Sequence, residues 1–247
     1  MLFLLLAIHS TPWFFSWNYE LLRNFFQLWP HNNLRIAIAY HFIRNPLIST
    51  FIYAIAFYFF WWKKDDQTQV RRNHLMGAIC ACILAVLATG LARPWIAWPA
   101  PALSEQFQGL FPNLLWGRGT TNCFPSHSTL VYLTVAIGVF HLNRRVGIFL
   151  ISFAFLAISL PRIYVGGHYP IDVVGAVVFS LAASFLIWMF MANTHFTDAL
   201  TWISTRRRWT EALVLFWLCE LGEGFRASDT TAHMIARILR HVGWLPS

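Results

Sequence analysis

The chain has 247 residues, of which 57% are hydrophobic and only 11% are charged. Soluble domains carry roughly 25% charged residues, so this composition excludes an ordinary soluble protein and predicts a polytopic membrane helix bundle. The formal net charge is +8, but the basic residues lie between apolar runs, which indicates membrane lipids as partners and no nucleic acid.

The N-terminal stretch Leu2–Phe15 is apolar but short, and Pro12 interrupts it. We predict a short first membrane span here and not a cleaved signal peptide, because a basic n-region and a small-residue cleavage site are missing. Residues 17–45 combine Trp and Phe with polar residues, which is typical of a segment that lies in the membrane interface. Residues 1–45 are therefore one predicted N-terminal unit.

Further along the chain, five apolar stretches approach the roughly 17 to 25 residues that a membrane-spanning helix needs. They are Pro46–Trp62, Leu75–Ala92, Ser128–Phe140, Val146–Leu160 and Pro170–Asn193. With the first span they predict an all-α bundle of about six transmembrane helices, centred on residues 46–192. Residues 193–247 are predicted to add cytoplasmic or interfacial helices, at Trp209–Leu221 and Thr231–Val242.

Basic residues occur in three of the connections between these spans. The clusters are Lys63-Lys64 with Arg71-Arg72, then Arg144-Arg145, then Arg206–Arg208. One topology places all of them in the cytoplasm, as the positive-inside rule requires. That topology puts residues 93–126 and 161–169 on the opposite side. We therefore expect a multi-pass plasma (inner) membrane protein with these polar segments facing the periplasm or exterior.

Ionisable residues cluster at the predicted outer ends of the spans, where they are costly and usually functional. They are Arg93, His127, Arg162, His168 and Asp172, with Ser126 beside them. The four cysteines, in contrast, show no metal-ligand spacing and are predicted to be packing residues. They are Cys80, Cys82, Cys123 and Cys219.

The residue types in this cluster suit phosphate chemistry. An arginine grips a phosphate with a planar fork, Ser126 can donate from its hydroxyl, and a helix start favours an anion. His168 and Asp172 are four residues apart and share a helix face. A carboxylate bonded to one ring nitrogen leaves the other nitrogen as a nucleophile, and His127 can protonate the leaving oxygen. These features imply phosphoryl transfer through a phosphohistidine, with no metal or other cofactor.

The run from Arg162 to Asp172 resembles the third signature, R-x5-H-x3-D, of the type 2 phosphatidic acid phosphatase (PAP2) family. Residues 124–128 resemble the second signature, P-S-G-H, and Arg93-Pro94 resembles the end of the first, K-x6-R-P. The resemblance implies a six-helix membrane bundle that removes phosphate from lipid phosphates and diphosphates. It implies His168 as the nucleophile, with Asp172 orienting it and His127 as the acid. The implied phosphate ligands are Arg93, Ser126 and Arg162.

Three positions depart from the family pattern. Val86 stands where the first signature has its lysine, and Arg118 is a candidate replacement for that charge. The second signature lacks its glycine, so either a residue is deleted and His127 is the acid, or Ser128 takes the histidine's place. Pro161 stands where a serine usually precedes the arginine of the third signature.

The expected function is hydrolysis of a lipid phosphate or diphosphate, such as undecaprenyl diphosphate or a phospholipid phosphate. Two alternatives stay open at this point. The same phosphohistidine could pass its phosphate to a lipid or sugar hydroxyl, which would make the protein a phosphotransferase. The protein could also be a non-catalytic lipid-binding membrane protein that keeps an anion site.

Overall fold

A computed structural model describes residues 12–30, 32–92, 99–104 and 123–206, together with 210, 211, 214 and 217. Every regular element in these ranges is helical, which confirms the all-α prediction. The helices are α1 (Pro12–Leu28), α2 (Asn33–Arg44), α3 (Pro46–Trp62), α4 (Thr68–Ala92), α5 (His127–Leu142), α6 (Arg144–Phe153), α7 (Leu160–Tyr164), α8 (Pro170–Met191) and α9 (Thr194–Thr205). A π-helical turn, Ala154–Ser159, joins α6 to α7.

Three continuous helices in the described ranges are long and apolar enough to cross a membrane. They are Thr68–Ala92, Arg144–Tyr164 and Pro170–Met191. Shorter apolar helices cover Thr50–Trp62 and His127–Leu142. All five overlap the apolar stretches predicted after residue 45, and the structure therefore agrees with a membrane bundle. The protein is a multi-pass membrane protein.

Helices α4, α5 and α8 pack against one another at the centre of the bundle, and α6 with the π-helical turn packs against α5. The core between them is almost wholly apolar, with side chains such as Leu75, Leu130 and Ile158 fully buried. Hydrogen bonds also connect the helices. The Tyr53 hydroxyl donates to the Leu150 carbonyl at 2.7 Å and so links α3 to α6.

The N-terminal helices form a second apolar cluster. Leu22 of α1 and Ile36 of α2 are buried together with Ile163 and Tyr164 of α7 and with Val165, which follows it. Residues 1–11 of the predicted first span lie outside the described residues, and α1 runs from Pro12 through Phe15 without a break. The predicted first span and the predicted interfacial segment meet near residue 16, and α1 continues through this point. The predicted helices after residue 208 also fall almost entirely outside the described residues.

The two ends of the bundle differ in character. At one end the Asn73 amide donates to Thr201 Oγ1 at 2.9 Å, and the His141 ring stacks on Trp188 with centroids 6.4 Å apart. The basic clusters at Lys63, Arg144 and Arg206 begin beside these helix ends. The starts of α5 and α8 meet at the opposite end, where the Ser126 amide donates to the Asp172 carbonyl at 3.0 Å.

Arg71 is a structural residue and not a solvated anchor. Its guanidinium pairs with Asp65 at 2.7 Å and donates to the Phe60 carbonyl at 2.7 Å and to the Lys63 carbonyl. These bonds help to satisfy carbonyls at the end of α3, where a helix leaves its last carbonyls without intrahelical partners. The same guanidinium holds the pKa of the Asp65 carboxyl below its ordinary value.

We expect Arg71→Ala to lower the free energy of unfolding by about 1–3 kcal/mol, because it removes the donor to the carbonyl of the buried Phe60. Arg72→Ala is the matched control, since Arg72 makes a weaker 3.4 Å bond to the Trp61 carbonyl and lies over the Trp61 ring, 5.4 Å from its centroid. The Asp65 contribution is present above the ordinary carboxyl pKa and is lost as the pH falls through the lowered pKa. Thermal unfolding in detergent at neutral and acid pH measures both effects; equal loss in the two variants would contradict the assignment.

Candidate active site

Asp172 lies in the first turn of α8, where an acidic side chain is favoured by the helix dipole. Its side chain is fully buried, and its Oδ2 accepts a hydrogen bond from the Tyr169 amide at 2.7 Å. The same oxygen lies 3.4 Å from Nδ1 of His168, one helical turn earlier. The predicted pairing of a carboxylate with one ring nitrogen of His168 is thus present. His168 keeps 17% of its side-chain surface exposed, and its ring therefore remains accessible.

The backbone of Cys123 holds the same ring nitrogen. His168 Nδ1 lies 2.9 Å from the Cys123 carbonyl oxygen, which can only accept a hydrogen bond. Asp172 Oδ2 is a second acceptor on the same side. Nδ1 therefore carries the proton, and in the neutral ring the lone pair is on Nε2. No sequence pattern predicts this contact, because a main-chain carbonyl is the same in every residue type.

The loop that carries this carbonyl is fixed from two directions. The Phe124 ring packs onto α8 at Gly175, where an added Cβ would lie inside the ring's contact distance. The Ser126 amide donates to the Asp172 carbonyl. The Phe124–Pro125 peptide bond between these anchors is cis. The starts of α5 and α8 are consequently tied together by backbone and packing.

Ser126 is the N-cap of α5 and is completely buried. Its Oγ lies 2.9 Å from Thr129 Oγ1, which lies 2.8 Å from Ser159 Oγ. Ser159 donates to the Ala154 carbonyl within the π-helical turn, at 2.8 Å. Each hydroxyl has one proton, so Thr129 must donate to Ser159 and Ser126 must donate to Thr129. The Ser126 proton that the sequence suggested for a phosphate is therefore engaged inside the protein.

Arg162 is at the end of α7, and its Nη1 donates to the Ile158 carbonyl at 3.0 Å. A tight turn links it to His168. The Gly167 amide donates to the Arg162 carbonyl at 2.8 Å, and Gly166 has a φ of 76°, which favours glycine. The Gly166 carbonyl in turn accepts from the Ala102 amide at 2.9 Å. The five residues between Arg162 and His168 are thus folded into one compact turn.

The structure brings Ser126, His127, His168 and Asp172 to the same end of the bundle, where Arg162 joins them through its turn. His127 is the first residue of α5 and is half-buried, as is Ser128 next to it. Arg93 and Arg118, the other predicted phosphate ligands, lie outside the described residues. Sequence reasoning missed Thr129, which lies in α5 three residues after Ser126, and Ser159, which the π-helical turn places beside Thr129.

Tyr169 follows His168 directly and is the N-cap residue of α8. Burial raises its pKa to about 12, and a hydrogen bond that its oxygen accepts from Ser104 partly opposes this rise. The phenol is consequently protonated throughout the physiological range. Ser104 belongs to the short segment that also contacts Gly166 through Ala102. Tyr169 therefore adds no charge beside His168.

Comparison with known proteins tests the family resemblance of these residues. The model of the PAP2 superfamily matches residues 74–196. Undecaprenyl-diphosphatase BcrC of Bacillus subtilis (strain 168) is 27% identical over 173 residues, which are 70% of this chain and 83% of the relative. The bacitracin transport permease protein BcrC of Bacillus licheniformis is 35% identical over 124 residues, 49% of this chain and 59% of the relative. No solved structure matches the chain.

The matched region contains the second and third signatures and the two helix starts that form the site. It also contains Val86, the position that lacks the family lysine. The family match and the similarity to an undecaprenyl-diphosphatase therefore confirm the resemblance that the motifs indicated. The chain belongs to the PAP2 superfamily and is a membrane phosphatase of that family.

Proposed function

We propose that this protein hydrolyses a lipid diphosphate through a phosphohistidine formed on His168. The observation that carries the proposal is the hydrogen bond between His168 Nδ1 and the Cys123 carbonyl. It fixes the tautomer in which Nε2 has a free lone pair, as an attacking nucleophile requires. The buried carboxylate of Asp172, 3.4 Å from Nδ1, offsets the positive charge that develops on the ring during attack.

In the first step, the Nε2 lone pair forms a bond to phosphorus, and the bond from phosphorus to the leaving oxygen breaks. His127 protonates that oxygen as a general acid. In the second step, His127 takes a proton from a water molecule, whose oxygen attacks the phosphohistidine. Free phosphate leaves, and both histidines return to their starting states. Because His127 and His168 stand at the starts of adjacent helices, they can act on opposite sides of one phosphate.

The phosphate ligands in this proposal are Arg162, Arg93, Arg118 and the start of α5. In the structure without substrate, Arg162 donates to the Ile158 carbonyl, and a bound phosphate would compete for that guanidinium. Ser126 can contact the phosphate through its proton only if the bond to Thr129 breaks. We therefore propose that Ser126 mainly holds the internal chain of hydroxyl groups, and that it contacts the phosphate only after this bond breaks.

We propose an isoprenoid diphosphate as the substrate, because one relative is named an undecaprenyl-diphosphatase. The apolar faces of α3 and α8, with Phe51 and Leu181 exposed, suit a surrounding of lipid tails. The proposed site faces the periplasm or exterior of the inner membrane, since the basic clusters lie at the other end of the bundle. The polar headgroup would then meet the site while the tail stays in the bilayer.

The direct test is phosphate release by the purified full-length chain in detergent, with undecaprenyl diphosphate and phosphatidic acid as separate substrates. We expect free phosphate from at least the diphosphate. Mass spectrometry of the lipids with an added sugar or lipid acceptor distinguishes hydrolysis from transfer. A phosphorylated acceptor without free phosphate would identify a phosphotransferase. Binding of either lipid without any turnover would contradict the enzymatic proposal.

Asp172→Asn provides a test of the orienting carboxylate. An asparagine can still accept from the Tyr169 amide, but it removes the negative charge beside His168 Nδ1. We expect kcat to fall about 10²- to 10⁴-fold, with a smaller change in KM, because the charge is needed mainly in the transition state. Asp198→Asn, in the second turn of α9, is the matched control. An unchanged kcat in Asp172→Asn would remove Asp172 from the mechanism.

A further inference from the structure

The candidate site contains a cluster of possible metal ligands, one of which its phosphate chemistry does not use. The Cys123 sulfur, a ring nitrogen of His168 and a carboxylate oxygen of Asp172 all lie within 4.8 Å of one another. Cys123 is 2% exposed and Asp172 is fully buried, whereas the His168 ring is partly accessible. The main chain of Cys123 positions His168, but the proposed reaction gives its thiol no role.

We propose that Cys123, His168 and Asp172 form an inhibitory binding site for Zn²⁺. Thiolate, imidazole and carboxylate are the ligands that Zn²⁺ takes in proteins, with bonds of about 2.0–2.3 Å. Ligand atoms around a tetrahedral ion are then roughly 3.5 Å apart. Side-chain shifts of about an ångström would bring the three atoms to that spacing. Three protein ligands leave a fourth position for water or a phosphate oxygen. A soft sulfur ligand disfavours Mg²⁺ and Ca²⁺.

Zn²⁺ bound at this site would inactivate the proposed nucleophile, because it changes the tautomer of the His168 ring. The nitrogen of His168 that faces Asp172 is Nδ1, 3.4 Å away. An ion on Nδ1 takes the lone pair of that nitrogen, and the proton of the neutral ring must then reside on Nε2. Nε2 no longer has a lone pair with which to attack phosphorus. The ion would also neutralise the Asp172 charge that supports the attack.

The proton balance gives the pH dependence. The Cys123 thiol loses its proton to solvent when it becomes a thiolate ligand. The His168 proton leaves Nδ1 while Nε2 gains one, so the ring remains neutral and the net release is one proton. Zn²⁺ affinity should accordingly rise with pH below the thiol pKa. The Cys123 carbonyl loses its donor in this state, and that loss lowers the affinity.

The binding test uses the full-length chain, purified in detergent and freed of metal. Titration with Co²⁺ should produce the thiolate charge-transfer absorption of a cysteine-ligated ion, and Zn²⁺ should displace it at one equivalent. Cys123→Ser should abolish the absorption and weaken Zn²⁺ binding more than about tenfold, since even an outer-shell partner is worth that much. Cys80→Ser, which removes a thiol within α4, is the matched control.

A second variant covers the case in which Cys123→Ser does not fold. His168→Ala removes a different ligand and should also weaken Zn²⁺ binding more than about tenfold. Wild-type affinity in either variant would overturn the proposal, as would an equal loss in Cys80→Ser. These measurements do not depend on catalysis, and therefore they report on the site even if the proposed function is wrong.

The inhibition experiment rests on the proposed function, because it measures phosphate release. Phosphate release is measured against Zn²⁺ concentration and expressed relative to the metal-free rate of each protein. Wild type and Cys80→Ser should lose activity over the same Zn²⁺ range, while Cys123→Ser should require more than about tenfold higher Zn²⁺. No phosphate release from metal-free wild type would contradict the proposed function alone. Normal release with equal Zn²⁺ sensitivity in all three proteins would contradict the inhibitory site alone.

Discussion

Replacing His168 with alanine is expected to lower kcat for phosphate release by about 10³-fold or more, because removal of a nucleophile leaves only the binding groups. The residual rate should not depend on Asp172, since the carboxylate then has no ring to orient. Rapid quenching of wild type with labelled substrate should trap phosphate in a linkage that is stable to base and labile to acid. The His168→Ala variant should trap none.

His195→Ala is the matched control for this experiment. His195 is exposed on α9, at the end of the bundle away from the candidate site, and its replacement should leave the rate unchanged. The lipid should still bind to His168→Ala, because the arginines proposed to bind the phosphate are intact. Full activity of His168→Ala would refute the nucleophile assignment, and a trapped phosphate on another residue would identify its replacement.

Gly175→Ala is expected to reduce kcat about 10²-fold although Gly175 carries no reactive group. The new methyl group would overlap the Phe124 ring, and the ring must move. Phe124 follows Cys123 directly, so this movement shifts the carbonyl that holds His168 Nδ1. A displacement of about 1 Å at a reacting group can cost 10²-fold in rate. Overpacking should also lower the free energy of unfolding by about 1–3 kcal/mol.

Gly138→Ala separates the effect on activity from the effect on stability. A methyl group at Gly138 would overlap Ala78 between α5 and α4, near the basic end of the bundle. It should cost similar stability but leave the kcat of the folded protein unchanged. Combining Gly175→Ala with Phe124→Leu should restore part of the rate by making room for the methyl group. Equal kcat values for the two alanine variants, or no recovery in the double variant, would contradict this coupling.

The amino-acid sequence predicted the membrane helices well because hydrocarbon solvation acts on composition over long windows. The predicted stretch 46–62 coincides with α3, and the other four fall on α4, α5, the α6–α7 unit and α8. Boundaries were less certain at the N-terminus, since Pro12 can either interrupt a helix or begin one. The structure begins α1 at Pro12.

The candidate site was predictable where its geometry follows from helical spacing. His168 and Asp172 are four residues apart at a helix start, and their side chains do meet. The hydroxyl chain from Ser126 to Ser159 was not predictable, because it crosses from α5 to a π-helical turn. Nor was the role of the Cys123 carbonyl. The roles of all these residues in the reaction, with those of Arg93, Arg118, His127 and Arg162, stay predictions.

The hydrogen bonds that assemble the site are largely those of the main chain. The Ser126 amide bonds the Asp172 carbonyl, the Gly167 amide bonds the Arg162 carbonyl, and the Cys123 carbonyl bonds His168. Such contacts survive most changes of side chain, provided that the backbone keeps its path. A lineage could therefore lose the lysine at position 86 and the glycine of the second signature while its scaffold endured. Searches that demand the full set of signature letters would overlook such descendants, whereas a search for this backbone arrangement would find them.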